Sequence, residues 1–134
     1  MIKPLIKGLG LTLKYFFSPA VTVQYPEERW EPYPRYRARH IMYAREDGRP
    51  KCVVCMLCAT VCPAQCIKIL GVQDEKGDQY PQGYEIDLGR CIFCGFCVEA
   101  CPVNAIAMTT HYELDGESRR ALVLDLEAIM RPPK

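Results

Sequence analysis

The run CVVCMLCATVCPAQC, residues 52–66, holds five cysteines in fifteen residues, and the same pattern returns as CIFCGFCVEACPVNA, residues 91–105. At an offset of 39 residues, Cys52, Cys55, Cys58, Cys62 and Pro63 fall on Cys91, Cys94, Cys97, Cys101 and Pro102. The fifth cysteine, Cys66, falls on Ala105. A position that accepts a small apolar side chain in one copy and a thiol in the other is expected to be packing, because free cysteine behaves as a small hydrophobe. Cys66 is therefore predicted to be a buried helix residue and not a ligand, which leaves eight cysteines in two copies of C-x2-C-x2-C-x3-C-P.

Nine cysteines in 134 residues would mean a disulfide framework in a small secreted protein. The number is odd, however, and the N-terminal segment makes a poor signal peptide, since Lys14 interrupts its apolar run and no A-x-A site follows. A reducing compartment is expected, where clustered thiols bind metal or do redox chemistry. Three thiolates spaced by two residues can wrap one face of a compact iron–sulfur cluster, with successive backbone N–H groups turned towards the sulfurs. Pro63 and Pro102 suit the first turn of a helix, so Cys62 and Cys101 are expected at helix starts that carry them away from the preceding loop. The known ligation rule for such runs gives the fourth cysteine to the other cluster, and we apply it here. One [4Fe–4S] cluster then takes Cys52, Cys55, Cys58 and Cys101; the other takes Cys91, Cys94, Cys97 and Cys62. Structural zinc, which prefers two paired C-x2-C knuckles, fits triplets with a distant fourth badly. A [3Fe–4S] centre would lack the middle cysteine of a triplet, and Cys55 and Cys94 are both present.

The repeat also sets the expected fold. After each Cys-Pro comes a short predicted helical stretch, PAQCI or PVNAI, then a β-prone run, IKIL or IAMTT. GYEIDLGR alternates Tyr84, Ile86 and Leu88 with polar residues, as a half-buried strand does. GVQDEKGDQYPQG, polar and rich in Gly and Pro, is predicted to be a surface loop. The expected class is α+β: two pseudo-symmetric halves over two clusters, with Ile67, Ile69, Ile86, Ile92, Phe93, Ile106 and Met108 walling the clusters from water. In so small a core, ligation should supply much of the folding free energy.

The rest of the chain departs from such a minimal domain. In MIKPLIKGLGLTLKYFF, residues 1–17, Ile2, Leu5, Ile6, Leu9, Leu13, Phe16 and Phe17 recur at helical spacing with Lys3, Lys7 and Lys14 along the edge, and no acid precedes Glu27. Seventeen helical residues reach only about 25 Å, too short and too basic to span a bilayer comfortably. An amphipathic helix lying in the headgroup region, or packed on a partner protein, is expected. The stretch from Thr22 to His40 contains Pro26, Pro32 and Pro34, with Trp30, Tyr33 and Tyr36 set among Arg29, Arg35, Arg37 and Arg39. It is predicted to be an extended docking strap, since aromatic and arginine side chains anchor interfaces. His40 and His111 lack metal-ligand spacing and read as ordinary polar residues. ESRRALVLDLEAIM is predicted to be a helix ended by Pro132 and Pro133. The expected organisation is an N-terminal helix over 1–18, an extended docking arm over 19–50, a double [4Fe–4S] domain over 51–112, and a C-terminal docking helix and tail over 113–134.

Hydrophobic content of 49% with 25% charged residues is ordinary for a globular chain, and net charge is only +1. Its distribution is uneven: ten Lys/Arg against five Asp/Glu through Lys51, then seven against eleven. The basic front favours an anionic membrane surface or an acidic protein partner. No basic–aromatic run on a nucleic-acid fold is present. Nor is there a Ser/His/Asp set, a GxGxxG or a paired-carboxylate site, so no catalytic residue and no dinucleotide site are expected.

The two cysteine runs resemble those of eight-iron ferredoxins at large. Together with LTLKYFFSPAVTVQYPEER, CPAQCIKI and YEIDLGRCIFCGFCVEACPVNAI, they resemble the family of 23 kDa ferredoxin-like subunits I of NADH-quinone oxidoreductase, respiratory complex I, over nearly the whole chain. The resemblance implies a subunit between the peripheral and membrane arms, peripheral on the cytoplasmic face of the bacterial inner membrane. It would relay single electrons towards the quinone-site subunit and touch peripheral-arm iron–sulfur subunits and a membrane-arm subunit. Cys66, where such subunits commonly have alanine, and the short C-terminus are departures that touch no ligand. A ferredoxin-like subunit of a membrane-bound hydrogenase-type complex would share the clusters. A free ferredoxin would need neither the apolar helix nor the strap.

Overall fold

In the computed structural model, which describes residues 2–75 and 77–132, the chain divides into two compact units, Met1–Glu31 and Pro32–Lys134. The first is built around helix α1, Ile2–Phe16. Its apolar residues at three- and four-residue spacing stay exposed along its whole length, and the helix stops ahead of Ser18 and Pro19, where the residue before proline resists the helical region. Among the described residues no helix is long and apolar enough to cross a membrane.

The second unit mixes short helices with two small sheets. Strand β1, His40–Met42, pairs antiparallel with β4, Ile106–Met108, with Ile41 opposite Ala107. The other sheet has the order β2–β3–β5, from Ile67–Gln73, Gln79–Asp87 and Val123–Leu124. Helices α2, Leu57–Val61, and α3, Phe96–Glu99, pack on one another, α2 also on β2 and α3 on β4; helix α4, Leu126–Met130, lies on β1 and β3. The mixed helix and sheet architecture is the α+β class expected.

Alternation in GYEIDLGR is realised: Tyr84 is 1% exposed and Ile86 0%, with Leu88 also buried. The strand runs further than expected, however. Residues 71–83, read as a surface loop, are largely the far half of a β2–β3 hairpin, which turns only between Asp74 and Asp78. Its polar and glycine residues mark exposed faces and a register shift between Leu70 and Gly71. Gly71 is needed there for space: a Cβ would lie 2.4 Å from Cγ1 of Val54, inside the first cysteine run.

Three further expectations give way. The helices lie before the Cys-Pro pairs. Cys62 caps the C-terminus of α2 in extended backbone, φ −69° and ψ 114°, and Cys101 follows the end of α3, because proline clashes with a helical conformation in the residue before it. PAQCI and PVNAI are turns leading into β2 and β4. The tail is not one helix: a 3-10 turn, Arg119–Leu122, precedes β5 and α4. β-Branched Val123 and the N-cap Asp125, whose carboxylate accepts from the Ala128 N–H at 2.7 Å, divide it. The stretch drawn as a docking arm over 19–50 is shared between the units; within it Ala38, His40 and Met42 are buried, while Tyr43, Ala44 and residues 46–49 are exposed.

Candidate iron–sulfur centres

Both cysteine runs form loops whose backbone repeats with the sequence. Left-handed φ values at Val54, Met56 and Gln65, of 57°, 64° and 48°, return 39 residues later at Phe93, Gly95 and Asn104, of 53°, 82° and 48°. Non-glycine residues adopt this region rarely, so its recurrence at five side-chain-bearing positions shows how strongly each loop is determined. The conformation turns N–H groups inward. The Val54 N–H donates to Cys52 Sγ at 3.4 Å and, at the matching place, the Phe93 N–H to Cys91 Sγ at 3.3 Å. The Ala105 N–H donates to Cys101 Sγ at 3.2 Å.

The eight repeated cysteines gather into two groups. One cavity is lined by Cys52, Cys55, Cys58 and Cys101, together with Tyr84, Ile69 and Ile106. A second is lined by Cys62, Cys91, Cys94 and Cys97, together with Cys66, His40 and Ile86. Each thus joins three cysteines of one run to the fourth of the other. Among the described residues no group of three or more Cys, His, Asp or Glu is placed to hold a single metal ion. The sulfurs border a hollow and do not close on a point.

Burial makes these sulfurs poor thiolates when alone. It raises the Cys52, Cys58 and Cys91 thiols above the ordinary range and pushes Cys97 up to about 12, with neighbouring cysteines adding to the effect. At Cys62 burial pulls the same way but is outweighed by hydrogen bonds from the Cys66 N–H and thiol and the Ala64 and Gln65 N–H groups, so this thiol lies below the ordinary range. A positively charged guest that shares the thiolate charge relieves the burial cost, and the inward N–H groups serve the anionic form. The donor set of soft sulfurs, backbone N–H groups and apolar walls fits a thiolate-bound iron–sulfur cluster.

Parts of the lining were not foreseen. Tyr84 Oη lies 3.4 Å from Cys58 Sγ, a hydroxyl placed against a ligand-type sulfur; alternation showed its burial but not its partner. His40, read as an ordinary polar residue, is 1% exposed and stacks on Phe93 with centroids 6.0 Å apart. Burial holds it well below the usual histidine range, at about 4. Arg37, expected at a docking surface, reaches the Cys94 carbonyl and pairs with Glu99 at 3.1 Å, bracing the second loop. Of the expected apolar walls, Ile67, Ile69, Ile86 and Ile106 are buried and Phe93 and Met108 half-buried, but Ile92 is 64% exposed. Ile92 borders the second cavity from its open side. Cys66 is buried as expected, but it sits in the turn before β2 and not on a helix.

A family profile described as a 4Fe-4S dicluster domain matches residues 51–105. NADH-quinone oxidoreductase subunit I 2 of Rhizobium meliloti is 48% identical over 130 residues, covering 96% of this chain and 69% of the relative. The subunit I 2 of Geobacter metallireducens is 48% identical over 130 residues, covering 97% and 98%. The chain belongs to the NADH-quinone oxidoreductase subunit I family. Among solved structures, that of the membrane-bound sulfane sulfur reductase, an archaeal respiratory membrane complex, aligns with a TM-score of 0.55 and 35% identity. That match covers 82% of this chain and 55% of the other. In this subunit I the profile takes in both cysteine runs from Lys51 to Ala105 and leaves α1, the strap and the tail outside it.

Proposed function

We propose that the chain is an electron-relay subunit of NADH-quinone oxidoreductase holding two [4Fe–4S] clusters in pseudo-symmetric halves, one on Cys52, Cys55, Cys58 and Cys101, the other on Cys91, Cys94, Cys97 and Cys62. The observation that carries this reading is the pair of cavities, each bordered by three cysteines of one run and the fourth of the other. When bound, such clusters accept and release single electrons without bond chemistry.

The protein's part is to hold, screen and tune. The inward N–H groups of Val54, Phe93 and Ala105 neutralise sulfur charge. Ile69 and Ile106 on one side, and Ile67 and Ile86 on the other, keep the walls apolar. Tyr84 Oη adds a donor at Cys58. NADH and quinone bind on neighbouring subunits. The exposed apolar residues of α1, with Lys3, Lys7 and Lys14, form an amphipathic surface that attaches the subunit to the cytoplasmic face of the membrane and the membrane arm.

Cys55→Ser and Cys94→Ser test the relay. Serine offers a harder oxygen donor at the same place, which shifts the potential or loses the cluster. In complexes shown intact on a native gel, NADH-to-quinone electron flow is expected to fall below a tenth, with NADH oxidation by an artificial acceptor at the entry end retained. Unchanged quinone reduction in an intact complex excludes an obligatory relay. The likeness to an archaeal respiratory membrane complex favours, as second reading, a related assembly with a different donor, which co-purifying subunits would reveal.

A further inference from the structure

The two cavities are not equivalent. Where the repeat puts Ala105 beside the first, it puts Cys66 beside the second. Cys66 is 5% exposed, its Sγ lies 3.5 Å from Cys62 Sγ, and Cys91 belongs to the same lining. The same lining holds a further polar group turned away from water: His40, with Nδ1 buried and without a partner. A buried protic side chain needs a partner, and for Cys66 the sulfur of Cys62 supplies it.

We propose that Cys66 is a positioning residue that donates its thiol hydrogen bond to Cys62 and so raises the reduction potential of the cluster held by Cys62, Cys91, Cys94 and Cys97. The inference rests on the ligation proposed above. Cys62 as a ligating thiolate has no proton to give, so in this pair the Cys66 thiol is the donor. Each electron arriving makes the ligand sulfurs more negative and strengthens the bond, so the reduced state gains more than the oxidised one. The thiol is a weak donor, so the gain is modest.

The test uses the full chain loaded anaerobically with iron and sulfide, as wild type, Cys66→Ala and Cys66→Ser. Iron is counted and each cluster is titrated potentiometrically by low-temperature EPR. Both variants are expected to keep the wild-type iron content. In Cys66→Ala the reduced-to-oxidised ratio of one cluster should fall about threefold to tenfold at fixed potential, tenfold being 59 mV for a one-electron couple. Cys66→Ser retains a donor and should restore at least half of that shift, with the other cluster unmoved in both. An unchanged potential in Cys66→Ala, equal shifts in Ala and Ser, or equal shifts in both clusters overturns the proposal. Iron loss in Cys66→Ala also overturns it, by making Cys66 a ligand. A wild-type chain that loads no second cluster overturns the ligation reading itself, and this proposal with it.

Discussion

At the scale of single residues, the fourth cysteine of each run is the most informative. Cys62 is separated from Cys58 by one turn of α2, yet it lines the cavity of Cys91, Cys94 and Cys97. Cys62→Ala is therefore expected to remove the EPR signal of the cluster 29 or more residues away in sequence and to spare most of the nearer one. Preferential loss of the nearer signal would refute the cross-run assignment. The repeat overlay made all eight of these residues legible, because a shared offset needs no knowledge of the third dimension. Tyr84 and His40 were not legible as parts of the lining, nor Arg37 as the brace of the second loop. Their roles depend on which distant strand or loop each side chain meets, and single residues carry no record of that.

Among the elements, α4 shows what a short segment contributes when it closes a core. It has five residues, too few to be stable alone, and it is held by its cap and by Ile129, which is fully buried on β1 and β3. Ile129→Ala is expected to lower unfolding free energy by about 2–5 kcal/mol, and Asp125→Ala by about 1 kcal/mol, as read by denaturant titration of the cluster-loaded chain. A loss of less than about 0.5 kcal/mol in Ile129→Ala would show that α4 does not seal this core. Strand β3 was legible because Tyr84, Ile86 and Leu88 alternate with polar residues. The β2–β3 extension and the pairing of β1 with β4 were not. Gly71, Pro81 and Gly83 punctuate the former like a loop, and the latter joins residues as far as 68 apart, with His40 opposite Met108. The helices were placed on the wrong side of Pro63 and Pro102. Proline is welcome in a first turn but equally forces the residue before it out of the helix, and here the second effect governs.

For the whole molecule, the chain divides at Glu31, and every cysteine falls in the second unit. No cysteine lies before Cys52, so deletion of residues 1–17 should leave the iron content unchanged. It removes the apolar face of Ile2, Leu5, Ile6, Leu9, Leu13, Phe16 and Phe17, each side chain worth about 1.5–3 kcal/mol if fully buried at a partner or lipid surface, and three lysines worth about 1 kcal/mol each on an anionic leaflet. The truncated subunit is expected to leave washed membranes at salt concentrations that the intact one withstands. Equal retention would show that α1 does not attach it. The crossing of the two runs also bears on how iron is taken up. Under the proposed ligation, a guest in either cavity would fasten a cysteine from each half of the domain and so order part of the site that the other guest needs. Whatever factor the first raises the affinity for the second, the second raises for the first. Titrated with a limiting supply of iron and sulfide, the apo chain should then divide into empty and full molecules with few half-filled ones, and the subunit would enter its complex either charged with both carriers or with neither.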